Sequence, residues 1–118
     1  MAEAALFIGW GAPVRGREAK GLEVFGEAVQ FFGQIQQGGR IESVDTVLLR
    51  PHGGDLYGFF LLRGGGEQLA GLQASEDFDR LTTRAGLVVE GLGIVPAAVD
   101  EGLGQQIERY QAAVGELA

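Results

Sequence analysis

An α+β domain is the fold class that this 118-residue sequence predicts, with four antiparallel strands and helices on one face of the sheet. The first observation is the order of the candidate segments, which runs strand, helix, strand, strand, helix, strand, helix. The second is that the strongest strand candidates, residues 5–9 and 56–62, are apolar at odd and even positions alike, so both sheet faces must be covered. Because the helices suffice for one face, the other face requires a second subunit. Residues 1–118 are expected to form one domain of ordinary size.

The first strand is predicted at residues 5–10, since an apolar run ends there at Gly11 and Pro13. The first helix is predicted over residues 17–37, where apolar residues recur at spacings of three and four. Gly38 and Gly39 supply its C-cap. The stripe that this helix should bury consists of Leu22, Phe25, Ala28, Val29, Phe32 and Ile35.

A hairpin follows the first helix. Its strands are predicted at residues 41–50 and 56–62, because the residues between them are turn formers that suit a short loop. If the second strand runs to Arg50, alternation places that side chain on the same face as Thr46 and Leu48. Glycines at 64–66 end the third strand, and a short helix is predicted at residues 67–73.

Ser75 begins the next helix as its N-cap, with Glu76 and Asp77 as an acidic first turn. Apolar periodicity predicts that this helix continues to about residue 91, and a strand at residues 87–90 is the alternative. The last strand is predicted at residues 94–99, and Pro96 restricts it to a sheet edge. A C-terminal amphipathic helix is predicted from Leu103, Ile107, Tyr110, Val114 and Leu117.

This segment order is the ferredoxin-like order, whose four antiparallel strands lie in the spatial order 4-1-3-2 with the last strand at an edge. Both connecting helices then cross one sheet face, and the other stays bare. Four strands of five residues make a bare face of roughly 320 Å² in projection. Leaving it in water would forgo about 8 kcal/mol, at about 25 cal/mol per Å². A homodimer through the sheet face is therefore the expected partner arrangement.

The chain resembles the dimeric α+β barrel superfamily in residues 5–10, 17–37, 41–63 and 94–99. That superfamily includes YCII-related proteins, cofactor-free monooxygenases, lactone isomerases, and haem-degrading and haem-peroxidase enzymes. The resemblance implies two subunits packed sheet to sheet, often with a small ligand between them. It consists of element order and apolar pattern, and no catalytic motif of these enzymes matches residue by residue.

Composition excludes several classes of function. The absence of cysteine rules out disulfides, zinc ribbons and thiol nucleophiles. A single histidine leaves no multi-histidine metal site in a subunit, and a haem would depend on His52 alone, so no cofactor is expected. The net charge of −7 and the scattered basic residues disfavour nucleic acid and membrane surfaces as partners. With no signal-peptide pattern and no long uninterrupted apolar stretch, a cytoplasmic protein is expected.

The candidate site follows from topology. The first two strands run the same way, so the loop at residues 10–17 and the hairpin turn at residues 50–55 should lie at one end of the sheet. A small organic ligand, anionic or aromatic, is expected there, because arginines and the positive end of the first helix suit an anion. The expected ligand-binding residues are Trp10, Arg15, Arg17, Arg50, Asp55 and Tyr57, with His52 as the catalytic candidate.

Each candidate has a plainer interpretation. His52 precedes Asp55 by three residues, and a carboxylate can orient an imidazole as a general base, but His and Asp also suit a tight exposed turn. The spacing of Gly11 and Gly16 is that of a phosphate loop, yet Arg17 and Glu18 stand where Lys and Ser or Thr are needed, so a nucleotide triphosphatase is rejected.

Three functions stay open at this point. The first is a homodimeric small-molecule-binding protein. The second is a cofactor-free isomerase or monooxygenase, with His52 as proton shuttle and Arg50 or Tyr57 stabilising an enolate oxygen. The third is a structural or interaction protein whose barrel is filled by side chains. An empty, dry interior would favour the interaction protein, a cavity with Arg50 buried in it would favour the binding protein, and a cavity within hydrogen-bond reach of His52 would favour the enzyme.

Overall fold

A computed structural model describes residues 3–118 of the protein. The strands and helices in that range follow the predicted order, including the short helix between the hairpin and the acidic-capped helix. They are β1 (Ala4–Trp10), α1 (Glu18–Gln37), β2 (Ser43–Leu48), β3 (Gly58–Gly64), α2 (Gly66–Gln73), α3 (Glu76–Gly86), β4 (Gly93–Ala97) and α4 (Asp100–Leu117). Within residues 3–118, no helix is long and apolar enough to cross a membrane.

The sheet is antiparallel throughout and has the strand order β2-β3-β1-β4, which confirms the predicted order. β4 lies at an edge, as its proline requires, and Pro96 sits opposite Leu6. In the central pair, Trp10 is opposite Gly58 and Ile8 is opposite Phe60. This register fixes which side chains share a face, because successive residues of a strand point to opposite sides.

One sheet face packs against α1, α2 and α3, and this is where the core lies. Its centre is formed by Leu6 and Ile8 of β1, Phe60 and Leu62 of β3, and Phe32 of α1, all buried. The alternate residues of the same strands form the bare face. There, the rings of Phe7 and Phe59 lie 5.1 Å apart, and Val95 beside them is 51% exposed. An apolar and partly exposed sheet face is therefore present, as the sequence predicted.

The buried stripe of α1 differs from the prediction. Val24 is buried together with Ala28, Phe32 and Ile35, whereas Leu22 is 73% exposed. Val29, also predicted to be buried, is exposed as well. A helix on a flat sheet buries only the arc that faces the strands, and at about 100° per residue Leu22 lies almost opposite Val24.

Two segment boundaries were also predicted wrongly. The α3 helix ends at Gly86 because residues 88–90 pair with residues 11–14: the Gly11 amide donates to the Glu90 carbonyl at 2.7 Å. The strand alternative at residues 87–90 is thus the better description, with a bridge between Pro13 and Val89. The β2 strand ends at Leu48, so Arg50 lies in the hairpin loop instead of on the face with Thr46.

Candidate functional site

A cavity of about 350 Å³ lies between the helix-covered face of the sheet and helix α1. It sits at the end of the sheet where β1 and β2 stop. Its sheet side includes Ile8, Trp10 and Phe60, and its helix side includes Phe25 and Phe32. Cavities that hold small organic ligands have volumes of about 300 to 1,000 Å³ and are mostly apolar. This cavity therefore has the size and lining of a site for a small molecule.

Aromatic rings dominate the inner wall. The Trp10 and Phe60 ring centroids are 5.2 Å apart, and Phe25 lies within 6 Å of both. Phe32 meets Phe60 edge to face at 4.8 Å. These separations are those of favourable aromatic pairs, which restrain one another. The wall is thus a preformed apolar surface with π-faces, well suited to a planar ligand.

The cavity opens to solvent through apolar side chains. Three of its lining residues are strongly exposed: Leu22 by 73%, Leu48 by 64% and Tyr57 by 48%. Leu22 comes from α1 and Leu48 from the end of β2, so these two side chains lie on different sides of the cavity. We call these three residues the mouth. Exposed apolar groups around a concave site are typical of a ligand-binding groove.

Gly11 lets three chain segments meet at the closed end. A Cβ at Gly11 would stand 2.9 Å from the carbonyl oxygens of both Asp55 and Glu90. The end of β1, the hairpin loop and the segment after α3 therefore approach one another more closely than a side chain would allow. Val88 and Val89, brought in by this pairing, complete the lining.

Few polar groups face this space. Among the described residues 3–118, Glu18 is the only charged one in the lining, and its Oε1 already accepts a hydrogen bond from the Gly16 amide at 3.0 Å. Thr82 donates its hydroxyl to the Asp79 carbonyl at 3.2 Å. Within residues 3–118, the indole N–H of Trp10 and the hydroxyl of Tyr57 have no hydrogen-bond partner. Both residues line the cavity.

The structure places the predicted site residues in two groups. The Tyr57 amide donates to the Trp10 carbonyl at 2.8 Å, so the loop after β1 and the hairpin loop do lie at the same end of the sheet. Trp10 and Tyr57 line the cavity. The remaining predicted residues are exposed and outside its lining; they are Arg15, Arg17, Arg50, His52 and Asp55.

His52 is held by its own loop. Its Nε2 donates to the Leu56 carbonyl at 2.8 Å, and its Nδ1 accepts from the Gly54 amide at 3.2 Å. Both ring nitrogens are thus engaged with backbone, and the carboxylate of Asp55 is not among their partners. Arg17 is likewise used locally, since its Nη1 donates to the Leu87 carbonyl at 3.1 Å.

Sequence reasoning treated several lining residues as ordinary core or surface. Phe25 and Leu22 of α1 are the main examples, and one signal for them exists. With Val24 included, the apolar residues of α1 cover an arc of roughly 160°, wider than the stripe of about 100° that a helix buries against one layer. The excess arc marks the side of the helix that borders the cavity.

A salt bridge joins the two helices that border the cavity. Arg84 of α3 forms a bidentate pair with Glu27 of α1, with nitrogen to oxygen distances of 3.1 and 2.8 Å. The hydrogen bonds that Arg84 donates to Glu27 raise the pKa of Arg84 above its ordinary value. Among residues 3–118, no group of three or more His, Cys, Asp or Glu side chains is arranged to hold a metal ion.

Comparisons with known proteins find likeness at the level of structure only. The chain matches no protein-family model and no curated protein. A dimeric protein of unknown function and ferredoxin-like fold from Bacteroides fragilis aligns with a TM-score of 0.61 at 8% identity, over 81% of this chain and 96% of that one. SnoaB, a cofactor-independent oxygenase from Streptomyces nogalater, aligns with a TM-score of 0.54 at 16% identity, over 84% and 95%. The chain therefore has a ferredoxin-like fold.

Proposed function

We propose that the protein is a homodimeric small-molecule-binding protein, and that each subunit holds a planar, largely apolar organic molecule in the cavity beside α1. The observation that carries this proposal is the aromatic wall of Trp10, Phe25 and Phe60 behind an apolar, exposed mouth. An aromatic ligand that binds against these rings replaces its contacts with water by contacts with π-faces and aliphatic groups, and this transfer has a favourable free energy.

Of the two ligand types expected from the sequence, the aromatic type is favoured over the anionic type. The only charged residue in the lining is a carboxylate, Glu18, which repels an anion. Glu18 also takes up the Gly16 amide at the start of α1, a donor that an anion would otherwise use. Arg15, Arg17 and Arg50 lie outside the cavity lining, so this proposal gives them no contact with the ligand.

The dimeric part of the proposal is supported by the bare sheet face and by the fold. Phe7, Phe59 and Leu61 form an apolar strip across β1 and β3 on the face without helices. The Bacteroides fragilis protein with the same fold is dimeric. We therefore propose membership of the dimeric α+β barrel superfamily, with the two sheets packed face to face about a two-fold axis.

A cofactor-free oxygenase is the second candidate, because SnoaB, which has the same fold, is a cofactor-independent oxygenase. In such a reaction the substrate itself supplies the electrons to O₂, one oxygen atom enters the product and the other leaves as water. The free donors of Trp10 and Tyr57 would stabilise the enolate oxygen of the substrate. His52 could move a proton only after giving up its contact with the Gly54 amide.

The binding proposal is tested with N-phenyl-1-naphthylamine, a neutral aromatic fluorophore. Trp10 is the only tryptophan, so energy transfer from it to the probe reports binding near this wall. We expect saturable transfer in the wild type. Leu22→Asp at the mouth should weaken affinity about tenfold or more, since it places a carboxylate at the entrance. Val29→Asp is the matched control, because Val29 is also an exposed apolar residue of α1 but does not line the cavity.

The binding proposal would be overturned if the wild type showed no saturable energy transfer, or if Leu22→Asp and Val29→Asp lost the same affinity for the probe. The remaining interpretation would then be an interaction protein with a filled barrel. The oxygenase candidate is tested separately with 2-tetralone, a compact enolisable ketone, in an oxygen electrode. Oxygen uptake that falls in Tyr57→Phe but not in Val29→Asp would support catalysis. No uptake above the rate without protein would argue for binding alone.

A further inference from the structure

Helix α4 carries an apolar stripe that its own subunit does not cover. All residues from 103 to 118 are exposed, and the exposed fractions of the five stripe residues range from 49% to 87%. We call this stripe the seam; it consists of Leu103, Ile107, Tyr110, Val114 and Leu117. The fold thus extends a helix of 18 residues whose apolar side faces water when the subunit is alone.

The helix cannot owe its stability to its own sequence. It contains Gly102, Gly104 and Gly115, and glycine in a helix interior is less favourable than alanine. Isolated helices of this length are marginal in water even when rich in alanine. Its contacts with its own subunit lie in its first half, where Gly102 packs against the Glu3 carbonyl and Arg109 lines a cleft together with Pro96 and Ala97. Packing from outside the subunit is therefore needed to hold the remainder of the helix.

The spacing of the seam is that of a helix that packs against another helix. Its residues recur at intervals of four, three, four and three, which is the 3.5-residue repeat of a coiled coil. In that repeat, β-branched Ile107 and Val114 alternate with Leu103 and Leu117, the arrangement that favours two strands. The seam lies roughly 110° around the helix from the side that contacts its own subunit, so it is free to meet a partner.

Helix α4, which carries the seam, is joined to the bare sheet face at its first residue. Asp100, the first residue of α4, lies 3.7 Å from Arg63 on that face, and Arg63 in turn binds Asp45 at 2.6 Å. The helix therefore starts at the rim of the face that the proposed homodimer buries. One partner that covers the face is also positioned to reach the seam.

The areas agree with a joint interface. A stable dimer buries about 800 Å² of accessible surface per partner, and the sheet face, roughly 320 Å² in projection and more by accessible area, supplies part of it. Five side chains of this size, mostly exposed, add on the order of 500 Å². The exposed side chains of the seam therefore enlarge the apolar surface that a dimer can bury beyond the sheet face alone.

We infer that α4 is a dimerisation arm whose seam packs against the seam of α4 in a second copy of this chain. This inference rests on the homodimer proposed above and not on its ligand. Self-complementary contact of identical patches is what a two-fold axis requires. Two heptads are too few to pair alone, so the arms add to the sheet interface and do not replace it.

The test compares Ile107→Glu with Ala112→Glu by sedimentation over a range of concentrations. Both variants add one carboxylate to an exposed position of α4, but only Ile107 lies in the seam. We expect Ile107→Glu to raise the dimer dissociation constant at least about a hundredfold, as burying an unpaired charge in an interface does, and Ala112→Glu to change it less than about twofold. Because α4 beyond Gly102 is exposed in the single subunit, neither variant should unfold the sheet, which near-ultraviolet circular dichroism of Trp10 reports.

A second experiment locates the partner surface. The chain has no cysteine, so Tyr110→Cys and Ala112→Cys each give a single thiol. Under mild oxidation, Tyr110→Cys should form a covalent dimer that Ala112→Cys does not. A monomeric wild type would overturn the homodimer and the arm together. A wild-type dimer that Ile107→Glu leaves intact would overturn the arm alone. Dimer loss in Ile107→Glu without cross-linking at Tyr110→Cys would overturn the helix-to-helix pairing and place the seam on the partner's sheet.

Discussion

The indole of Trp10 lies across Gly58, its partner on the neighbouring strand. A Cβ at Gly58 would stand 2.7 Å from Cζ2 of Trp10 and 2.8 Å from the Val47 carbonyl oxygen, closer than real side chains approach. Because Gly58 has no side chain, the indole of Trp10 can occupy this position. Since Trp10 forms part of the aromatic wall, this contact links the sheet register to the shape of the cavity.

Gly58→Ala should therefore damage the cavity and the fold together. The new methyl must displace either the indole or the backbone of β2, and overpacking of this kind costs about 1 to 3 kcal/mol. We expect the free energy of unfolding in urea to fall by that amount and the Trp10 emission to change. Gly26→Ala is the control, because nothing lies within 4 Å of its added Cβ in α1. A helical Gly→Ala change should stabilise by about 0.5 to 1 kcal/mol. Equal effects of the two variants would refute the contact.

Arg50→Lys distinguishes the neutral from the anionic ligand. Arg50 lies in the exposed hairpin loop outside the cavity lining, so binding of neutral N-phenyl-1-naphthylamine should not change. The sulfonated analogue, 1-anilinonaphthalene-8-sulfonate, would lose about ten- to a hundredfold in affinity if Arg50 gave its sulfonate a bidentate pair. We expect the two probes to respond alike, with no loss. A loss confined to the sulfonate would restore Arg50 to the site as an anion-binding residue.

The pH dependence of stability should include Asp77. The hydrogen bond from Arg40, at 2.8 Å, holds the pKa of the Asp77 carboxyl well below its usual range, helped by Ser75. Because the pKa of this carboxyl is lower in the folded state than the unfolded value of about 3.9, its ionised form stabilises the folded protein at pH values above about 3.9. This contribution to the free energy of unfolding is lost as the pH falls below that value. Both side chains are nearly half exposed, so the contribution is about 0.5 to 1 kcal/mol.

Asp77→Asn should lower stability at neutral pH by that amount and flatten the loss of stability below about pH 4. Asp79→Asn serves as the control, because Asp79 lies in the same first turn of α3 but forms no ion pair within residues 3–118. Urea unfolding at a series of pH values measures both. If the free energy of unfolding depended on pH in the same way in the wild type and in Asp77→Asn, the Arg40–Asp77 pair would not contribute to stability.

Phe59→Lys tests the bare sheet face. Phe59 lies between Gly9 and Val47 on that face, with its ring beside Phe7. We expect the wild type to sediment as a dimer at micromolar concentration, and the variant to unfold or aggregate, because a charge replaces apolar surface that the partner covers. Val29→Lys, on the exposed side of α1, should stay dimeric. A monodisperse, folded wild-type monomer would show that the face needs no partner.

How much of the candidate site could be predicted differs from residue to residue. Trp10 and Tyr57 were placed at one end of the sheet from strand directions alone, and the hydrogen bond between their backbones confirms that they meet. Whether either binds a ligand stays a prediction. The role predicted for His52 as a general base depended on a carboxylate neighbour, Asp55. In the structure, the ring nitrogens of His52 form hydrogen bonds with backbone groups of Gly54 and Leu56 instead, which its distance from Asp55 in the sequence could not show.

The sequence by itself determined the fold class, the strand order and the edge position of β4, because alternation, turn formers and a proline act over a few neighbouring residues. It also marked the sheet face that helices leave bare. Only the tertiary structure decided which arc of α1 faces the strands, and hence that Val24 is buried while Leu22 borders a cavity. It also decided the pairing of residues 11–14 with residues 88–90, which closes that cavity. These contacts join segments far apart in the chain, and their geometry depends on packing that no local pattern encodes.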